Sequence, residues 1–162
     1  MKPTNELRFF VLSLWMLLAL PMFAQSQAYT QVTDLMNKHK LSDQDVHFFR
    51  EGEGLKMIKM MVGKDLGKKF LKDVGVIAMF DYTRLSAAQL QAFHQDLDAQ
   101  LSAFEEKEIL EEERDGNYLR FFFVSVDDEY LSDFLTFMED KEGKMRLMMY
   151  FHGRMPLDES EK

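Results

Sequence analysis

Between Asn117 and His152 three stretches of alternating character follow one another with only short turns between them, and this narrows the possible folds more than any other feature. Asn117–Val126 sets Leu119, Phe121 and Phe123 on one side and Tyr118, Arg120, Phe122 and Val124 on the other. Leu131–Met138 offers Leu131, Leu135 and Phe137, and Lys144–His152 offers Met145, Leu147, Met149 and Phe151. Side chains of a strand point alternately to opposite faces, so a period of two marks strands with two unlike sides. The connections Asp127-Asp128-Glu129 and Glu139–Gly143 have hairpin length, which makes the three strands an antiparallel meander. Glu108–Arg114 leads into a further turn at Asp115-Gly116, and Gly153 is expected to end the last strand.

The remaining elements are read the same way. Val74–Tyr82 is apolar except for Asp81, as in a central strand covered on both faces. Ser86 with Gln89 three residues on forms a capping box, and Ala87, Leu90, Phe93, Leu97, Leu101 and Phe104 make the apolar stripe of a helix. Val32, Leu35, Met36 and His39 recur at helical spacing, and Val46 and Phe48 alternate with His47 and Phe49 as in a short strand. Leu55, Ile58, Met61 and Val62 predict a buried helix widened by Met57 and Met60 and stopped by Gly63, with a further turn or two over Lys64–Lys72. The expectation is an α+β fold: a mostly antiparallel sheet with a C-terminal three-stranded meander and helices packed on one face.

The chain starts with Lys2 and Arg8 ahead of an uncharged run, Phe9–Leu20, then Pro21 and small polar residues. That is the pattern of a secretory signal peptide over residues 1–24, with cleavage between 24 and 28. The run is too short to span a bilayer, which needs roughly 20 residues. Residues 25–156 then form a single domain, with 157–162 a disordered charged tail. No cysteine is present, so neither a disulfide framework nor a lipid-accepting thiol exists. The formal net charge of -8 repels nucleic-acid phosphates and anionic lipid head groups, and no basic cluster stands out as reversing that locally.

The signal, the helical Leu55–Leu71, the apolar strand Val74–Tyr82, its following amphipathic helix, Asp115-Gly116 and a final strand closing on Gly153 resemble a family of small exported proteins of Gram-negative bacteria, the domain-of-unknown-function 4252 family. The likeness spans roughly Tyr29 to Pro156. It implies an exported α+β domain and brings no activity, cofactor or catalytic residue. Many of its members look like lipoproteins with a cysteine after the signal; this chain has none, so a lipid tether does not carry over.

Candidate chemistry is sparse. His39, His47, His94 and His152 fall on separate elements without metal-ligand spacing, and no serine sits in a nucleophile elbow. Met57, Met60 and Met61, and Met145, Met148 and Met149, are clusters of soft thioethers such as a copper(I) carrier uses, although methionine as a core filler is the ordinary reading and Met148 stands apart on the other strand face. Glu105, Glu106, Glu108 and Glu111–Glu113 read as a solvated edge that discourages sheet-to-sheet association. The remaining candidate is an interaction face of Tyr118, Arg120, Phe122, Phe134, Arg146, Tyr150 and His152, mixing aromatics and arginine as partner surfaces do. The alternative is that the N-terminal helix covers it. The resulting expectation is an exported, periplasmic or envelope protein, non-catalytic and without cofactor, that binds a protein partner or a second copy, has no permanent membrane span and binds no nucleic acid. A carrier of metal or a small ligand on Met and His is the alternative; a hydrolase has no positional support.

Overall fold

The computed structural model describes residues 27–102, 104–108 and 117–157. Its frame is a six-stranded sheet, antiparallel throughout. The strands are β1 (Val46–Phe49), β2 (Asp73–Asp81), β3 (Glu105–Glu108), β4 (Asn117–Ser125), β5 (Tyr130–Asp140) and β6 (Arg146–Pro156), in the spatial order β1-β2-β6-β5-β4-β3. The meander β4-β5-β6 is as the alternation predicts. β2 lies between β1 and β6 and is buried on both sides, at Ala78 and Phe80 on one and Val74 and Ile77 on the other. Of the expected glutamate edge, Glu105, Glu106 and Glu108 lie on β3, one of the two edge strands of the described sheet. The Asp115-Gly116 turn, Glu111–Glu113, the signal segment and the tail from 158 lie outside the described residues.

Among the described residues three α-helices accompany the sheet, α1 (27–39), α2 (Gly52–Leu66) and α3 (Ala87–Gln100), with a short 3-10 turn at Asp43–Asp45. Local chemistry starts α3 where expected, because Ser86 Oγ accepts from the Gln89 amide (3.3 Å) and Gln89 Oε1 accepts from the Ser86 amide (3.0 Å). α1 and α3 bury Val32, Leu35, Met36, Phe93 and Leu97 against Phe80, Phe122, Leu135, Phe137, Met148 and Tyr150. α2 lies on the opposite face, where Ile58 joins Ile77, Met149 and Phe151. The helices therefore cover both faces and not one. The physical reason is that β2, β5 and β6 each carry apolar residues on both sides, and an antiparallel sheet wet on one face cannot supply that cover.

Two further expectations are corrected. Gly63 does not stop α2; the helix runs on to Gly67, whose φ of 86° is open to glycine at little cost, and residues 68–72 are turns. Gly153 does not end β6 but lets it pass β2: with φ 148°, a Cβ there would lie 2.5 Å from the Asp73 carbonyl oxygen and 2.7 Å from Val74 Cα. Backbone irregularities converge at this end of the sheet, in the pairings at Val74/Val76, Val124/Ser125 and Leu131/Asp133. The bulge at Ser132 moves Leu131 to the α2 face while Leu135 and Phe137 stay under α1 and α3.

Candidate functional site

The face expected to bind a partner is an interior. Phe122 opposes Leu135 across β4 and β5, whereas Phe123 opposes Phe134, so Phe122 and Phe134 point to opposite sides of the sheet. Phe122 and Tyr150 are buried beneath α1 and α3, and Phe134 packs edge-on against Phe70, 5.4 Å between centroids, on the α2 side. Arg120 is half-buried with its guanidinium 5.2 Å from the Phe122 ring. Arg146 is half-buried at the start of β6, where its carbonyl accepts from the Tyr82 amide. Tyr118 lies opposite Glu139 in the register, its side chain outside those described. A one-residue change of register moves every side chain of a strand to the other face, and the hairpin loop and the Ser132 bulge decided it here. The chain itself covers this surface.

What the fold brings together instead is a polar cluster centred on Asp133, which is 0% exposed. Tyr150 donates to its Oδ1 (2.5 Å), Ser132 donates to its Oδ2 (2.6 Å), and His152 Nδ1 lies 2.8 Å from Oδ1. A carboxylate only accepts, so His152 donates its Nδ1 proton and turns Nε2 away. Burial first, then the Asp133 charge and hydrogen bond, hold the Tyr150 hydroxyl far above the ordinary tyrosine range. Tyr29 of α1 closes the cluster, with its ring 5.7 Å from His152 and its hydroxyl accepting from Arg50 (2.6 Å). A cavity of about 280 Å³ adjoins it, lined among others by Tyr130, Ser132, His152 and Arg154; the Arg154 guanidinium stacks on Tyr130 at 3.7 Å.

The other histidines are also tied down or apart. His39 of α1 meets Asp96 of α3 at 2.6 Å, beside Lys38 at 2.7 Å. His94 meets Glu139 at 3.2 Å, and Glu139 also accepts from the buried Tyr82 hydroxyl at 2.8 Å. The His94 bond, followed by that of Tyr82, holds the Glu139 carboxyl below its usual range against the opposing effect of burial. His47 is exposed on β1. Among the described residues no three of His, Asp and Glu converge as a metal-holding group.

α2 departs most from expectation. Its inward stripe is narrow, with Ile58 buried and Leu55 and Val62 half-buried. Met57, Met60 and Met61, expected in that stripe, are 54%, 70% and 61% exposed. At spacings of three and four they share the outward crest with Lys56 and Lys64. The crest continues into a groove of about 490 Å³ lined by Lys59, Met60, Gly63, Lys64, Lys68, Leu71 and Lys72. Lys59 donates to the Lys72 carbonyl (3.2 Å), and burial draws its ammonium below the usual lysine range while Asp73 pushes back. Residues 55–72 hold six lysines in a chain of net charge -8, a local reversal that the overall balance hides. Met148, set apart in the sequence, is wholly buried.

Compared with family models, with curated proteins and with solved structures, the chain matches none. No helix among the described residues is long and apolar enough to cross a membrane.

Proposed function

We propose that this protein is an exported, non-catalytic interaction module of the periplasm or cell envelope, and that its docking surface is the outward face of α2. The observation that carries this is the exposure of Met57, Met60 and Met61 together, edged by lysines, while most other large apolar side chains among the described residues are buried or half-buried. Contiguous apolar surface with a polar rim marks contact sites. The non-catalytic part is supported by the Asp133 cluster: the Ser132 hydroxyl is spent on the carboxylate and not on the imidazole, so Ser132 is not set up as a nucleophile of the His152–Asp133 pair. The test is a photo-crosslinking side chain placed in turn at Met60 on α2 and at Gln91 on the exposed side of α3, in the full chain expressed in its own cells. Adducts at position 60 and none at 91 are expected. Equal adducts, or none at 60, would remove α2 as the docking face.

The same three methionines favour a second reading, a copper(I) carrier. Thioethers at i, i+3 and i+4 on one exposed helical face are soft ligands open to a metal. Titration with copper(I) decides it: saturable uptake abolished by Met57→Leu, Met60→Leu and Met61→Leu together supports a carrier, and no uptake removes it.

A further inference from the structure

We infer that the surface α2 meets is an anionic phospholipid bilayer; this rests on the reading of α2 as the docking face and names its partner. Charge and side-chain type both select it. The face is a methionine crest with Lys56, Lys64, Lys68, Lys69 and Lys72 exposed beside it. Carboxylates near it are Glu51 and Glu53 at the start of α2, Glu53 being paired with Lys56 at 3.0 Å, and Asp73 near Lys59, and Asp65 belongs to α2 in sequence. Protein interfaces concentrate their energy in tryptophan, tyrosine and arginine and are depleted in lysine. This face shares the methionine that such interfaces also favour, but it carries lysines where they carry arginine and aromatic rings.

Lipid suits that composition for separate reasons. Unbranched thioether side chains enter the boundary between head groups and acyl chains without needing a shaped pocket, while lysine stems lie along apolar surface and raise their ammonium groups to phosphate. The groove holds both functions, with Leu71 and Met60 among its apolar residues and Lys59, Lys64, Lys68 and Lys72 around them. The acidic remainder of the chain is repelled by the same surface, so the charge asymmetry orients the molecule with α2 toward the bilayer. This is contact in the plane of the interface and not a span, in keeping with the absence of a spanning helix among the described residues.

The test is co-sedimentation of the full chain with vesicles of mixed phosphatidylglycerol and phosphatidylcholine and with vesicles of phosphatidylcholine alone. Phe9–Leu20 and the Lys2 and Arg8 ahead of it are the same in the full chain and in its substituted variants, so the loss on substitution reports α2. Binding to the mixed vesicles only is expected, falling steeply with added salt. A lysine near an anionic surface contributes about a fivefold factor, so Lys64→Glu, Lys68→Glu and Lys72→Glu together should weaken partition by about a hundredfold or more. All three side chains are exposed, and an unchanged melting temperature confirms that the variant folds. Met57→Leu, Met60→Leu and Met61→Leu together should retain vesicle binding, which separates lipid contact from copper binding. Equal affinity for both vesicles, or none for either, overturns the lipid assignment. If crosslinks at Met60 persist in that case, the docking face stands and its partner is a protein; dimers lost in the glutamate variant would instead assign the face to a second copy.

Discussion

At Asp133 the geometry is least tolerant of change. Three donors from Ser132, Tyr150 and His152 satisfy one buried carboxylate, so removing it leaves their polar groups unpaired in the interior. Asp133→Ala should cost about 3 kcal/mol in chemical denaturation; a loss below about 1 kcal/mol would mean that water reaches the cluster. The buried tyrosines give a pH signature. An unfolded tyrosine ionises near pH 10. Tyr82 and Tyr150 are both held above this, by burial and then by Glu139 and Asp133 respectively. A raised folded value means the stabilisation is complete below about pH 10 and is lost as pH rises above it toward the folded values. Of the five tyrosines, these two should therefore form tyrosinate only as the protein unfolds in alkali, seen as an ultraviolet tyrosinate step coincident with loss of circular dichroism. A smooth titration of all five in the folded protein would contradict the burial.

At the scale of elements, α3 and α2 behave oppositely. Leu97 and Phe93 are sealed beneath α3, and Leu97→Ala should destabilise by about 2 to 5 kcal/mol in urea unfolding. A change near zero would mean that this helix is not the lid of the core. In α2, Gly63 sits inside the helix, and a Cβ there would meet Leu71 Cδ1 at 3.6 Å, an ordinary contact. Gly63→Ala should therefore stabilise by about 0.5 to 1 kcal/mol, read as a raised melting temperature; a lowered one would place α2 closer to the sheet than described. The difference between the two helices also explains what the chain's pattern could reveal. The Ser86–Gln89 capping box, the β2 run, the three alternating strands and the Leu90, Phe93 and Leu97 part of the α3 stripe depend on neighbours within a few residues and are readable, whereas Ala87 is exposed and the helix ends at Gln100, before Leu101 and Phe104. The side of the sheet taken by α2, the bulge at Ser132 and the direction of Met57, Met60 and Met61 depend on strand order and register, to which local spacing is blind. Asp133 and His152 meet only because β5 and β6 pair across a bulge, and no spacing motif announces them.

For the whole molecule, the arrangement is a sheet covered by helices on both faces, with six of the chain's thirteen lysines gathered in α2 and the turns that follow it. The surface expected to bind partners is interior because α1 and α3 cover it, and the proposed contact surface lies on α2, whose apolar spacing predicts a buried helix. Methionine oxidation reports both halves of that statement in one experiment, because a thioether reacts according to its access to oxidant. In the isolated protein, brief peroxide treatment followed by mass spectrometry should oxidise Met57, Met60 and Met61 first and spare the buried Met36, Met148 and Met155. In intact cell envelopes the α2 methionines should become protected if α2 is docked. Equal oxidation of Met57, Met60 and Met61 in both preparations, or their protection already in the isolated protein, would contradict the account.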